Sequence, residues 1–295
     1  MKFLRDFFLE EIYLRMKLDK NIFFITADFG SPVVDKIKEE FNDRFLNVGI
    51  AEQNLINIST GLALEGFKVF AYGISSFISM RCLEQIRINL GLLNQIKKLN
   101  INIISVGAGT SYEVSGPTHH CLEDISIINS IPGIEIFCPS DIKLTKLYID
   151  RALNKIGTKY IRLDARINYS LESEFFLLED GFRIIKRAKN KKFIISCGYF
   201  VNFSKQFNAN IIDLFLLNSF NFEKLFKEVE NYSKLITIED SFLPGGIASI
   251  VNYYFKNKKI INLGFKRKYV FEASKREEIH KKYGISIQKI KKILK

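Results

Sequence analysis

A chain of 295 residues is long enough for two ordinary domains with a core each, and its 47% hydrophobic residues can fill them. No apolar run reaches the roughly 18 residues of a membrane span, and the opening MKFLRDFFLEEIYLRMKLDK carries acids inside its apolar stretch, which a secretory signal would not, so a cytoplasmic protein is expected. The net charge of +12 invites a nucleic-acid reading, but the lysines are scattered and dense only in the tail HKKYGISIQKIKKILK, where they alternate with Ile287, Ile290 and Ile293 as the solvent face of one amphipathic helix. Neither nucleic acid nor membrane is expected as a partner. The four cysteines, Cys82, Cys121, Cys138 and Cys197, form no CxxC pair and sit in apolar settings, as buried free thiols do.

In chain order, Phe3 to Leu18 reads as an amphipathic helix, Asn21 to Asp28 (NIFFITAD) as a strand, and Val33 to Phe41 as a helix. Phe45, Leu46 and Val48 read as a short buried strand, followed from Glu52 by a helix with Leu55, Ile58, Leu62 and Ala63 on its apolar side. FKVFAYG is a strand, Phe77 to Leu92 a helix, INIISVGAG a strand, Leu122 to Ile131 a helix, IEIFCP a strand, Asp141 to Asn154 a helix and YIRLD a strand. Residues 166–182 lose this periodicity and read as a linker between a first domain, 1–165, and a second, 183–295. In the second, KKFIISCG, ANIIDLFL, KLITIED and KKIINLG are strands, with a stunted crossover at YFVNFSKQFN and helices at Phe222 to Tyr232, Gly246 to Phe255 and in the final thirty or so residues. The fold class is α/β: two domains, each a mainly parallel sheet flanked by helices.

Three stretches carry chemistry. In RFLNVGIAEQNLINISTGLALEG, Arg44 to Gly66, a carboxylate sits at a strand-to-helix corner, where α/β proteins bind ligands. The second is SSFISMRCLEQIRINLG, and the third is GAGTSYEVSGPTHHCLEDI, whose turn-forming Gly116-Pro117 precedes two of the chain's three histidines. A His-His metal site is not expected, because neighbouring side chains diverge and no further His or Cys lies close by.

VGIAEQN ahead of a glycine-spaced helix resembles the pyrimidine-binding domain of the transketolase family, enzymes that use thiamine diphosphate. In that family the glutamate hydrogen-bonds the ring nitrogen of the cofactor's aminopyrimidine, which makes Glu52 the catalytic carboxyl here. Such a group works best walled off from water, and Ile50, Ala51, Leu55 and Ile56 would form that wall. Phe77, Arg81 and Glu84-Gln85-Ile86-Arg87 match the family's second element, and the resemblance implies that Phe77 stacks on the pyrimidine. Arg81 and Arg87 are expected to be ion-pair partners outside the catalytic set.

The third stretch resembles the family's DGPTHQ-x-x-ED segment, where the histidine hydrogen-bonds sugar hydroxyls, which implies that role for His119. Two positions depart from it: Ser115 stands where an acid is usual and His120 where glutamine is, which bears on the substrate's hydroxyl pattern. The same resemblance aligns Arg5 and Arg166 with arginines that grip a sugar phosphate, and Asp28 with an aspartate near the cofactor. Gly245-Gly246 opens a helix and could cradle an anion.

Complete enzymes of the family begin with a domain holding a G-D-G motif that binds Mg2+ and the cofactor's diphosphate. No G-D-G occurs here, and EDGF at Glu179 to Phe182 lacks the strand such a motif follows. With Met1 immediately before the pyrimidine domain, the chain is expected to be the C-terminal subunit of a split transketolase. Thiamine diphosphate would then be its cofactor, with the Mg2+ ligands, none of them from this chain, supplied by an N-terminal partner subunit in a heterotetramer. The reaction implied is transfer of a two-carbon ketol unit between sugars or sugar phosphates. The alternatives are a 2-oxoacid dehydrogenase β-subunit, against which GPTHH-x-x-ED stands, a deoxyxylulose-phosphate synthase-like enzyme, and a non-catalytic scaffold, against which Glu52, Phe77 and His119 stand.

Overall fold

The computed structural model describes residues 2–256 and 258–295. Its first sheet is built from β1 (Ile22–Thr26), β2 (Phe45–Asn47), β3 (Lys68–Ile74), β4 (Asn100–Val106), β5 (Ile134–Phe137) and β6 (Gly157–Leu163). Their order across the sheet is β2-β1-β3-β4-β6-β5, and every pairing is parallel. Helices cover both faces, so the inner strands are apolar on both sides and read as near-continuous Ile, Val and Phe runs. The helix α1 (Leu4–Leu18) packs with α2 (Pro32–Glu40) and the helix Ile142–Asn154 on one face. Ser31 and Asp141 start the latter two by accepting hydrogen bonds from Val34 N and Leu144 N.

The second sheet has the order β11-β10-β8-β9-β7, with β7 (Phe182–Lys186), β8 (Lys192–Ser196), β9 (Asn210–Leu214), β10 (Lys234–Phe242) and β11 (Ile260–Phe265). Its strands are parallel except β7, which runs antiparallel to β9. One core, including Ile134 and Ile136 from the first sheet and Ile195, Ile212 and Leu214 from the second, fills the space between them. Arg183 of β7 adds a fully buried polar tie, reaching Asp213 at 2.9 Å and Asp141 at 3.1 Å. Residues 166–182 run along the first sheet's helices: Ile167 O accepts from Leu4 N at 3.0 Å, Tyr169 O from Ile142 N at 2.9 Å, and Leu171 N donates to Asp141 at 2.6 Å.

Five expectations from the sequence need correction. The strand β2 is not buried, because it is the sheet's edge and has β1 alone beside it; Leu46 is 36% exposed. The helix Phe77 to Leu92 is broken into Ser75–Ile78, Leu83–Gln85 and a wider π-type turn at Ile86–Leu92. At the break Ser79 Oγ and Cys82 Sγ donate to the carbonyls of Ser75 and Ile78, bonds that compete with the helical ladder. Leu122 to Ile131 shrinks to Asp124–Asn129. The strand β7 went unread, since its residues RIIK lack a clear period and pair only with a distant partner. The tail is two helices, Arg276–Lys282 and Ile287–Leu294, because Gly284 at φ +84° ends the first and Ser286 caps the second.

Candidate active site

Parallel strands send all their carboxyl ends to one edge, and five of the resulting loops meet there. Asp28 follows β1, Glu52 follows β2, Phe77 follows β3, the loop 107–121 follows β4 and Arg166 follows β6. The order of the sheet reverses around β1 and β3, the kind of switch point at which open α/β sheets leave a crevice.

The turn into α3 (Glu52–Leu64) is knitted by Asn47. Its Oδ1 accepts from Asp28 N at 3.0 Å and Gly49 N at 2.9 Å, while its Nδ2 donates to Asp28 Oδ1 at 2.9 Å. Asp28 takes a left-handed φ of 54°, a strain that a short polar side chain tolerates. This turn delivers Glu52 to the first helical position, where its carboxylate is 6% exposed and favoured by the helix N-terminus. Arg81 Nη1 donates to Glu52 Oε1 at 2.7 Å, and the Arg81 guanidinium lies over the Phe77 ring, 4.1 Å from its centroid. Burial, with the Glu52 charge beside it, pushes the Cys82 thiol up to about 12, so this sulfur stays protonated and inert. The expected wall is half right: Leu55 and Ile56 are fully buried, but Ile50 is 74% exposed on the protein's outer surface.

His119 comes to the same place from the other side. Its ring stands edge-on to Phe77 at 5.4 Å and to Tyr112 at 6.0 Å. Thr118 Oγ1 lies 3.1 Å from its Nδ1, and the turn that carries it closes on Gly116, at φ +76°, whose carbonyl accepts from His119 N and His120 N. His120 points elsewhere: it is buried, with Nε2 3.3 Å from Glu113 O. Ser115 is exposed on the rim of the turn, and Arg166 reaches Glu113 at 3.4 Å two residues away from it. Arg5 lies below, with its guanidinium committed to Asp6 at 2.8 Å. Burial, partly offset by the Arg5 charge, pushes the Tyr112 phenol up to about 12.

The loop 107–121 is held from beneath by the second domain. Asp240 accepts from Thr110 N at 3.0 Å and from Thr110 Oγ1 at 3.0 Å, and it pairs with Arg276 and His280. Gly109 must be glycine, since at φ +59° a Cβ would lie 2.3 Å from Asp240 Oδ2. Gly245-Gly246 is not an open anion cradle. The chain's own Glu239, fully buried, fills that helix start by accepting from Ile247 N at 2.7 Å and Ala248 N at 2.8 Å.

The structure thus brings Glu52, Phe77 and His119 together, sets Ser115 and Arg166 on the adjoining rim, ties Asp28 into the turn before Glu52, and engages Arg5 internally. Three residues, Arg81, Tyr112 and Asp240, escaped sequence reading as parts of this site. Arg81 stands four residues after Phe77, a spacing that carried the helical signal for a shared face. Tyr112 and Asp240 carried none, being placed by contacts across 7 and 130 residues.

Fold and site define an α/β protein of two packed sheets with a ligand crevice at the carboxyl edge of the first. The family model described as "Transketolase, pyrimidine binding domain" matches residues 4–169. One of the two subunits of the apulose-4-phosphate transketolase of Phocaeicola vulgatus is 29% identical over 259 residues, covering 84% of this chain and 81% of that one. A Methanocaldococcus jannaschii protein provisionally described as a transketolase C-terminal section is 30% identical over 291 residues, covering 92% and 89%. A solved split-gene transketolase, an inactive β4 tetramer, superposes with a TM-score of 0.82 at 23% identity over 99% of this chain and 96% of that one. The chain belongs to the transketolase family, as the separate subunit that carries the pyrimidine-binding domain of a two-component, transketolase-like transferase. Among the described residues no helix is long and apolar enough to cross a membrane.

Proposed function

We propose that this subunit supplies the pyrimidine-ring half of a thiamine diphosphate site and the sugar-facing loop of an enzyme that moves a two-carbon ketol unit between sugars or sugar phosphates. The observation that carries this reading is the convergence of a buried carboxylate, an aromatic face and a histidine: Glu52, Phe77 and His119. They fit a flat aminopyrimidine, which stacks on an aromatic ring and hydrogen-bonds a carboxyl through its ring nitrogen. The bound cofactor supplies the nucleophilic carbon that cleaves the ketose and holds the ketol unit. This chain's residues do the rest: Glu52 holds a proton at the ring nitrogen, Phe77 fixes the ring plane, and His119 hydrogen-bonds a sugar hydroxyl. Arg166 on the rim suits a phosphate, because a guanidinium fork matches its oxygens. Arg5 would first have to leave Asp6.

Among the described residues no group of three or more His, Cys, Asp or Glu side chains is placed to hold a metal ion. The Mg2+ and diphosphate ligands in this reading come from an N-terminal partner subunit seated against Glu52, Phe77 and the exposed Ile50, with two copies of each subunit completing two sites. Such a partner would restore the missing wall. The four cysteines are free and buried, in keeping with the reducing cytoplasm. Ser115, both donor and acceptor, replaces the stronger demand a carboxylate would impose, which suits a specialised sugar; the apulose-4-phosphate transketolase is among the relatives.

The test is calorimetric titration of thiamine diphosphate with magnesium into this chain alone and then with the G-D-G subunit present. Binding and ketol transfer are expected only for the pair. Tight, magnesium-dependent binding and turnover by this chain alone would overturn the split-site reading.

A further inference from the structure

Arg81 occupies the place that the proposed ring would take. Its guanidinium is a planar cation lying 4.1 Å from the centroid of Phe77, and the same group donates to Glu52 Oε1 at 2.7 Å. An aromatic face on one side and a carboxylate at the edge are the two contacts by which Glu52 and Phe77 would hold an aminopyrimidine. Two flat groups cannot share one face of Phe77 and one carboxylate oxygen.

The side chain is also poised to leave. It is 46% exposed, whereas the Glu52 side chain beneath it is 7% exposed. Its backbone is fixed independently of its guanidinium: Arg81 N donates to Phe77 O at 2.9 Å, and its carbonyl accepts from Gln53 Nε2 at 3.2 Å. The side chain can therefore swing outward without disturbing the turn between Ser75–Ile78 and Leu83–Gln85. Without it, Glu52 would be a buried carboxylate facing the crevice with no cation beside it, a costly state before any ring arrives.

We propose that Arg81 is a placeholder: in the free subunit it occupies the ring site, keeping Glu52 paired and Phe77 covered, and it must be displaced for the pyrimidine to bind. This inference rests on the assignment of Glu52 and Phe77 to the ring. It assigns Arg81 an opposing role at that site, lowering apparent affinity by the fraction of molecules whose site is closed.

The experiment uses the full chain without its partner and a probe free of both phosphate and thiazolium charge, 4-amino-5-hydroxymethyl-2-methylpyrimidine, observed by saturation-transfer NMR. Arg81→Ala should bind the probe about tenfold more tightly than the unmodified chain, as expected if closed molecules outnumber open ones by about ten to one. Arg81→Lys, which keeps the charge but loses the flat face, should fall between, and adding Glu52→Gln to Arg81→Ala should remove most of the gain. Unchanged or weaker binding by a folded Arg81→Ala would overturn the placeholder. A parallel titration of thiamine diphosphate and magnesium into the unmodified two-subunit complex separates the two ideas. Binding there with no gain in Arg81→Ala defeats the placeholder alone, and no binding there defeats both.

Discussion

At the Glu52 corner an arginine meets a carboxylate at 2.7 Å with its own side chain 46% exposed, while beneath the His119 loop Arg276 meets Asp240 at 2.5 Å and Asp164 at 2.6 Å with 4% exposed. Distance does not separate the two pairs; surroundings do. Asp240 also accepts from Thr110 and lies against His280, and the Arg276 guanidinium stacks on Tyr199 at 4.0 Å. Both charges of the inner pair have lost their water, so each depends on the other and on a full set of hydrogen bonds. Water can replace either partner at the outer pair, which leaves it weak and exchangeable. The same ion-pair chemistry thus anchors a loop in one region and covers a site in the other.

The sharpest way to break this contrast is to remove each arginine. Arg276→Ala should cost about 3–5 kcal/mol, because it strands two buried carboxylates, and should loosen the loop that presents His119. Urea unfolding measures it, and a cost under about 1 kcal/mol would put the inner pair in the same class as the outer one. Next in size is an effect on chemistry alone. Glu52→Gln should lower turnover of the two-subunit enzyme by at least about 100-fold, the scale of acid–base catalysis, with the unfolding curve nearly unchanged. Near-normal turnover with cofactor bound would remove Glu52 from its role.

A smaller effect distinguishes the regions by pH. Burial alone would raise the Asp240 carboxyl, but Arg276 and His280 outweigh it and hold the group well below the usual carboxylate range. An acid depressed on folding adds stability above its unfolded value of about 3.9, and that stability is lost as pH falls below it. Stability should therefore drop between about pH 5 and 2, and Asp240→Asn, already weaker at neutral pH, should flatten that slope. Thermal unfolding across the range checks it, and an unchanged slope in Asp240→Asn would refute it. The smallest effect closes the comparison: Arg81→Ala should change stability by no more than about 0.5 kcal/mol, as exposed substitutions do.

Much of this protein was legible in the linear sequence because the signals are local. Alternating β-branched runs and amphipathic helices announced two α/β sheets, and the corner before Glu52, the turn at Gly116-Pro117 and the element around Phe77 carried a recognisable pattern within some twenty residues each. What tertiary structure alone decided depends on partners far along the chain. That β2 is an edge strand, that β7 runs antiparallel, that Ile50 faces outward and that Glu239 fills the Gly245-Gly246 turn all follow from which segments become neighbours. The Arg81 and Arg276 pairs show the division most plainly. Sequence supplies a cation and an acid in both, but only folding sets how much water each keeps, and that water determines whether a salt bridge holds the structure or yields to a ligand.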